Sequence, residues 1–423
     1  MREMKDSGVE WIGEIPVDWK LNKIKHHFSI SSGTTPKSDE PEYWDGDIVW
    51  ITPADFKTDD VYVSDGHRNL SQEGYRVSSL QLVPAGSIIF SKRAPIGQVV
   101  INAIDLCTNQ GCLTAVLNDD SDVRFYRYVM SIATEEFELA GSGTTFKEIS
   151  ATSFGNILLP LTSKQEQTKC ADYLDVKCSK IDEIIEKQQA IIEKLKEYKL
   201  SIITEAVTSG INPDVEMKDS GSVWFGSIPI NWEMKRLKYV FHIQKDIAGE
   251  EGHTVLSITQ RGIIPKDFSN NEGQFANSYA NYQLVHKGDF AMNHMDLLTG
   301  WVDISKYEGV TSPDYRVFVL NDKNGMCPEY YLYMMQMCYS ARIFYGLGQG
   351  VSGMGRWRLQ ADKFLNFHIP IPPYDEQKII ADYITDKVNH IEVEIDKRNK
   401  LIEKYQEYKK SLIYEVVTGK KEV

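Results

Sequence analysis

The stretch IIEKLKEYKLSIITEAVT (residues 191–208) returns 210 positions later as LIEKYQEYKKSLIYEVVT (401–418). The match extends upstream, to EQTKCADYLDVK from Glu166 and EQKIIADYITDK from Glu376, and 20 of 43 aligned positions are identical. Apolar residues fall at helical spacings in both copies: Ile181, Ile185, Ile192, Leu195, Tyr198 (or Lys199) and Ile202, then Ile391, Ile395, Ile402, Tyr405, Tyr408 and Leu412. Gln188 and Arg398 fill the one gap in each row. One apolar stripe on a charged helix is the pattern of a coiled-coil seam. Ser163 ahead of Glu166 reads as a capping box, Pro372-Pro373 suits the second helix start, and Gly210 and Gly419 sit where the helices should stop. A helix of about 44 residues is about 65 Å long at 1.5 Å per residue, and its stripe needs a partner. The duplicated copy supplies one, so the two helices are expected to pair antiparallel. Residues added after Thr208, just past the seam, are expected to lengthen this ruler.

Working outward, MKDSGVEWIGEIPVDW from Met4 reappears as MKDSGSVWFGSIPINW from Met217, at an offset of 213. Trp11, Pro16 and Trp19 map onto Trp224, Pro229 and Trp232. The middles diverge, although TAVLND from Thr114 parallels VFVLND from Val317. Each half is therefore an opening, a divergent middle and a shared tail, with a period too long for a solenoid. The final TGKKEV resembles the linker that would lead back into MREMKDSG, which suits a cyclic, pseudo-two-fold molecule.

The middles read as mixed α/β. Strand-like runs include GDIVWIT (46–52), AGSIIFSK (85–92), GQVVI (97–101) and LTAVL (113–117), with TVLSITQ, GDFAMNHM and YRVFVLND in the second half. FYRYVMSIATEEFELAG (125–141) and PEYYLYMMQMCYSARIFYG are helix-like. The expected fold is α+β: two mixed α/β domains joined by two long antiparallel coiled-coil helices, duplicated about a pseudo-two-fold. The expected boundaries are 1–160 and 213–370 for the domains, and 161–212 and 371–423 for the helical regions.

Six cysteines in 423 residues, none in a C-x-x-C pair, exclude a disulfide framework and a structural zinc, and point to a reduced cytoplasmic protein. No apolar run reaches membrane-spanning length and no secretory signal opens the chain. Net charge is −13, which alone counts against nucleic acid. It is uneven: residues 1–160 hold 14 Lys+Arg and 23 Asp+Glu, whereas 211–370 hold 15 and 17. There is no P-loop, no G-x-G-x-x-G after a strand, no H-E-x-x-H, no nucleophile elbow, and no Asn/Asp-Pro-Pro-aromatic tetrapeptide of adenine methyltransferases. No metal and no catalytic constellation is read. The loops SSGTTPKSDE, SKRAPIG, GSGTTFKE and GQGVSGMGRWR are rich in Gly, Ser and Thr with interspersed cations, as groove contacts require.

SGTTPKSDEPEYWDGDIVWITPADF (32–56) and MNHMDLLTGWVDISKYEGVTSPDYRVF (292–318) resemble target recognition domains of the specificity subunits of type I restriction-modification systems. The entries Pro160…Glu166-Gln167 and Pro370…Glu376-Gln377 match too, and the resemblance covers the whole chain. It implies that each domain reads one half of a bipartite site in double-stranded DNA, while the paired helices set the gap and dock two modification subunits. S-adenosylmethionine would belong to those subunits, and ATP and Mg to restriction subunits. This chain would hold no cofactor and perform no catalysis. Candidate DNA contacts are Thr34, Thr35, Lys37, Lys92, Arg93, Thr144, Thr145 and Lys147 in the first half, and Gln260, Arg261, Asn293, His294, Gln349, Arg356 and Arg358 in the second. The acidity of 1–160 requires the cations to gather on one face and the modification subunits to supply much of the phosphate binding. Two other readings are a coiled-coil scaffold without a DNA role and a methyltransferase in its own right. The first fits the divergent, loop-rich middles poorly; the second lacks a cofactor motif.

Overall fold

The computed structural model describes residues 2–56, 61–143, 147–268, 276–350 and 357–423. The candidates Thr144, Thr145 and Arg356 lie outside the described residues. The chain divides into two compact units, 1–188 with 400–423 and 189–399. Each unit thus holds part of both long helices, Lys164–Ser209 (46 residues) and Tyr374–Val417 (44 residues). At 1.5 Å per residue these are about 69 and 66 Å long.

In unit 1 the central sheet has five strands in the order Phe28–Ser32, Cys112–Leu117, Ile88–Lys92, Ile96–Asn102 and Tyr62–Val63. In unit 2 the sheet runs Phe241–Gln244, Arg316–Leu320, Phe290–Met292 and Val302–Ile304. The first four strands share one order, and Leu117 opposite Phe28 corresponds to Leu320 opposite Phe241. The divergent middles therefore share a framework. It survives because β-branched and aromatic residues recur along these strands while the loops between them vary. The expected helix over 125–141 is two, Val123–Ile132 and Thr134–Ala140, because Ala133 leaves the helical conformation. Its counterpart in unit 2 likewise splits, into Pro328–Ser340 and Ile343–Leu347.

The helices run antiparallel within each unit. In unit 1 the Cys170 thiol donates to the Val416 carbonyl across 3.9 Å, and Lys409 reaches Asp182 at 2.6 Å. In unit 2 Lys199 pairs with Glu392. Ile181, Ile192, Ile202, Ile391, Ile395, Ile402 and Leu412 are buried, and Ile185, Leu195 and Tyr405 are half-buried. Tyr198 and Tyr408, expected in the stripe, are 58% and 53% exposed. The partly covered Lys199 and Lys409 take the inner face one residue on, where they meet carboxylates. A straight helix turns 3.6 residues per turn, so a strict heptad drifts off the seam at such positions.

The repeated openings close the helix ends. Trp19 and Trp232 are fully buried. Gly419, at φ +73°, ends the second helix against Trp19 and Pro16, where a Cβ would lie 2.5 Å from the proline ring. Gly210, at φ +77°, ends the first against Trp232. Tyr414 Oη donates to the Ile12 carbonyl at 2.9 Å, and Lys420 Nζ does so at 2.6 Å. Glu376 accepts from Asn231 at 3.1 Å, and Glu166 pairs with Arg2 at 2.6 Å. Ser163 Oγ accepts from the Glu166 N–H at 3.3 Å, so the hydroxyl half of the capping box forms while the Glu166 carboxylate holds Arg2. Thr208 is 9% exposed and Val207 lies in the unit 2 core, so an insertion after Thr208 would disrupt this closure rather than simply extend the helix.

The repeated Glu-Gln pair has a shared purpose. Gln167 is 1% exposed; its Oε1 accepts from the Asp122 N–H at 2.9 Å and its Nε2 donates to the Thr162 carbonyl at 3.0 Å. Gln377 is 2% exposed and does the same with the Cys327 N–H (3.0 Å) and the Pro372 carbonyl (2.9 Å). Asp122 and Cys327 immediately precede the equivalent helices Val123–Ile132 and Pro328–Ser340. One buried amide thus pins each domain to the start of its long helix. In unit 1 Arg124 adds bonds of 2.8 Å to Asp122, Asp172 and Asp175.

All six cysteines are free and buried, and burial pushes the Cys107 and Cys178 thiols up to about 11. Among the described residues no His/Cys/Asp/Glu group fits a metal, and no helix is long and apolar enough to cross a membrane.

Candidate nucleic-acid interface

In unit 2 the sheet delivers charged groups into one concavity. Arg316 begins a strand otherwise made of buried apolar residues and is itself 5% exposed. Its guanidinium lies 5.1 Å above the Phe364 ring, and Nη2 donates to the Leu359 carbonyl at 2.8 Å. His294 follows the strand Phe290–Met292 and is 6% exposed. Its carbonyl accepts from the Leu359 N–H at 2.9 Å, which sets Arg358 beside it, and Arg358 Nε donates to His294 Nε2 at 3.5 Å. Lys245, Arg358 and Gln360 complete the polar lining of a pocket of about 440 Å³, together with Gln283. Among its described lining residues there is no Asp or Glu. Burial first, then the charges of Arg316, Arg358 and Lys245, push the His294 pKa down to about 3. The imidazole is therefore neutral at pH 7. Burial pushes Arg316 down to about 10, which leaves it cationic.

The described candidates Gln349, Gln260, Arg261 and Asn293 are not among the residues lining this pocket. Gln349 is opposite Arg358 in a two-stranded ribbon and accepts from Gln360 Nε2 at 2.8 Å. Gln260 and Arg261 form the exposed turn of the hairpin Leu256–Thr259/Gly262–Pro265, with Gln260 donating to the Thr299 carbonyl at 3.3 Å. Asn293 is turned inward: its Oδ1 accepts from the N–H groups of Met295 and Asp296, so its side chain shapes the loop.

In unit 1 the candidates fall in two places. Trp50 Nε1 donates to the Thr34 carbonyl and Trp44 Nε1 to the Lys37 carbonyl, both at 3.1 Å. The two indoles pack edge to face at 5.1 Å, and Arg68 covers Trp44 at 3.9 Å. The loop is thus held by its backbone, with Thr34 and Lys37 exposed and Thr35 bonded to Gln110. Elsewhere Lys92 lies 2.9 Å and Arg93 3.8 Å from Glu148, and both Arg93 and Lys147 line a cleft with Pro95, Ile96 and Glu138. Lys92 and Arg93 share Glu148 as a partner, so their charge is partly answered by a carboxylate, and Lys37 lies in the other loop.

Reading loops missed Arg316 and Lys245. Arg316 carried a signal, a lone cation heading the apolar run RVFVL, which a strand buries only for a reason. Lys245 carried none beyond its charge.

The family described as "Type I restriction modification DNA specificity domain" matches this chain twice, over residues 16–201 and 229–404. A Methanocaldococcus jannaschii protein, the type I restriction enzyme MjaIX specificity subunit, is 33% identical over 243 residues, 55% of this chain and 54% of that protein. The chain thus matches about half the length of that relative. The MjaVIII specificity subunit of the same organism is 22% identical over 96% of this chain and 93% of its own length. Among solved structures, a chain from work on "complex assembly and conformational transition of the type I R-M system" superposes with a TM-score of 0.69 at 11% identity, covering 95% of this chain and 98% of that one. The two matches divide where the openings and tails repeat, and they take in both central sheets and most of each long helix. The chain belongs to the family of type I restriction-modification DNA specificity domains.

Proposed function

We propose that this chain is the sequence-reading subunit of a type I restriction-modification complex. Each recognition domain, 1–160 and 213–370, reads one half of a bipartite DNA site. The helical regions 161–212 and 371–423 set the gap between halves and dock two modification subunits, and restriction subunits join that assembly. The chemistry lies in the partners: S-adenosylmethionine with the modification subunits, ATP and Mg with the restriction subunits. The observation that carries this reading is the duplicated frame: two domains of one strand order and different loops, each pinned by a buried glutamine to a long helix. A common frame orients two readers alike, and unlike loops let the two half-sites differ.

Exchange of residues 20–158 for the recognition domain of another family member is the test. The methylated motif in a host carrying the complex is expected to stay split and to change in one half only. Changes in both halves, or an unsplit motif, would refute the modular reading.

A further inference from the structure

The two units carry opposite charges at one shared position. In unit 1 the Lys92 carbonyl accepts from the Ile149 N–H at 3.0 Å; in unit 2 the His294 carbonyl accepts from the Leu359 N–H at 2.9 Å. Lys92 ends the strand Ile88–Lys92 and His294 lies two residues past the equivalent strand Phe290–Met292, so Glu148 beside Lys92 corresponds to Arg358 beside His294. Unit 1 supplies its own anion there. Unit 2 places a further cation there instead, next to Arg316 and Lys245.

The pocket is also short of acceptors. Arg316 Nη1 and His294 Nδ1 are buried and have no hydrogen-bond partner among the described residues. His294 Nε2 accepts from Arg358, which assigns the proton of the neutral ring to Nδ1 and makes that atom a donor. A buried guanidinium nitrogen, Arg316 Nη1, and a buried imidazole N–H, both unmet, favour an incoming anion with several acceptor oxygens.

We propose that the unit 2 pocket takes one phosphate group of a DNA backbone, with Arg316 and His294 as its buried donors and Lys245 and Arg358 as its exposed cations. This rests on the DNA-reading function proposed above and names the chemistry of one contact in it. A diester phosphate satisfies both donors and offsets the clustered positive charge, as free inorganic phosphate would.

The test has two arms. Inorganic phosphate is titrated calorimetrically into the full chain at constant ionic strength set by chloride. Saturable binding at one site is expected, weakened about tenfold or more by Arg358→Glu, which installs the carboxylate that unit 1 carries. Glu148→Gln, in the other unit, is expected to leave the unit 2 binding in place. Lys245→Ala, an exposed change, is expected to weaken phosphate severalfold and serves if Arg358→Glu does not fold. Absence of binding, or equal binding by both pocket variants, overturns the site. In the second arm the assembled complex meets duplexes with single neutral methylphosphonates. One position is expected to weaken binding about tenfold, and Arg358→Glu is expected to lose sensitivity there. Phosphate binding without such a position would assign the pocket to free phosphate and overturn the DNA contact. No sequence-specific duplex at all would overturn the function, and the titration would still decide the pocket.

Discussion

Replacing Gln377 with leucine is expected to destabilise unit 2 by about 2–6 kcal/mol, because the change leaves two buried backbone groups unmet at about 1–3 kcal/mol each. Those groups are the Cys327 N–H and the Pro372 carbonyl. Leucine has nearly the volume of glutamine, so cavity formation adds little. Gln167→Leu is expected to do the same to unit 1 through the Asp122 N–H and the Thr162 carbonyl. Urea unfolding followed by tryptophan fluorescence and circular dichroism measures both. The loss in unit 1 should be the smaller, since the Arg124 bonds to Asp172 and Asp175 also span that junction. Unchanged midpoints in both variants would show that the repeated glutamine does not hold the domains to the helices.

Lengthening both long helices together is expected to change the spacer of the recognised site and nothing else. Four residues such as Ala-Glu-Ala-Leu are inserted after Gln188 and again after Asn399, at the division between the two units. Each insertion adds about 6 Å of helix. Matching insertions of four act as a stutter, which coiled coils absorb by local unwinding. Both helix closures, at Trp19 and at Trp232, are left intact, unlike an insertion after Thr208. With base pairs about 3.4 Å apart, the proposed reader should accept the same half-sites with one or two more base pairs between them. Methylome sequencing reads this directly. An active complex with the original spacer, or with altered bases inside a half-site, would show that the helices do not set the distance.

The long helices, the duplication and most strands were legible because each rests on a periodic or repeated pattern. The 20 identities in the tails and the apolar spacing specify both helices, and TAVLND against VFVLND marks the equivalent strands. What escaped depends on contacts distant in sequence. Tyr198 and Tyr408 satisfy the heptad spacing, yet the real helical pitch turns them out and brings in lysines whose partners lie on the other helix. The Glu-Gln motif was visible, but not that its amide bonds to a residue 45 or 50 positions upstream. Within the candidate site, loop composition found His294, Gln349 and Arg358, while Arg316 lay inside a strand. Loop composition also gave no sign that Glu148 answers Lys92 and Arg93, since a salt bridge across a bend leaves no local pattern.

The division of the chain bears on the order in which the molecule is completed during synthesis. Unit 2 is one continuous stretch, 189–399. Unit 1 needs residues 400–423, whose Leu412, Ile413, Val416 and Val417 lie in the same cluster as Ile12, Trp19 and Leu174. Domains made first generally fold first on the ribosome. Here the half made first waits for residues 400–423 to emerge, with the apolar surface around Trp19 open to water meanwhile. Unit 2 can close earlier, so a nascent chain would carry a finished second reader beside an unfinished first one. That interval is when the chain is most exposed to chaperones, proteases and mispairing with another copy's tail.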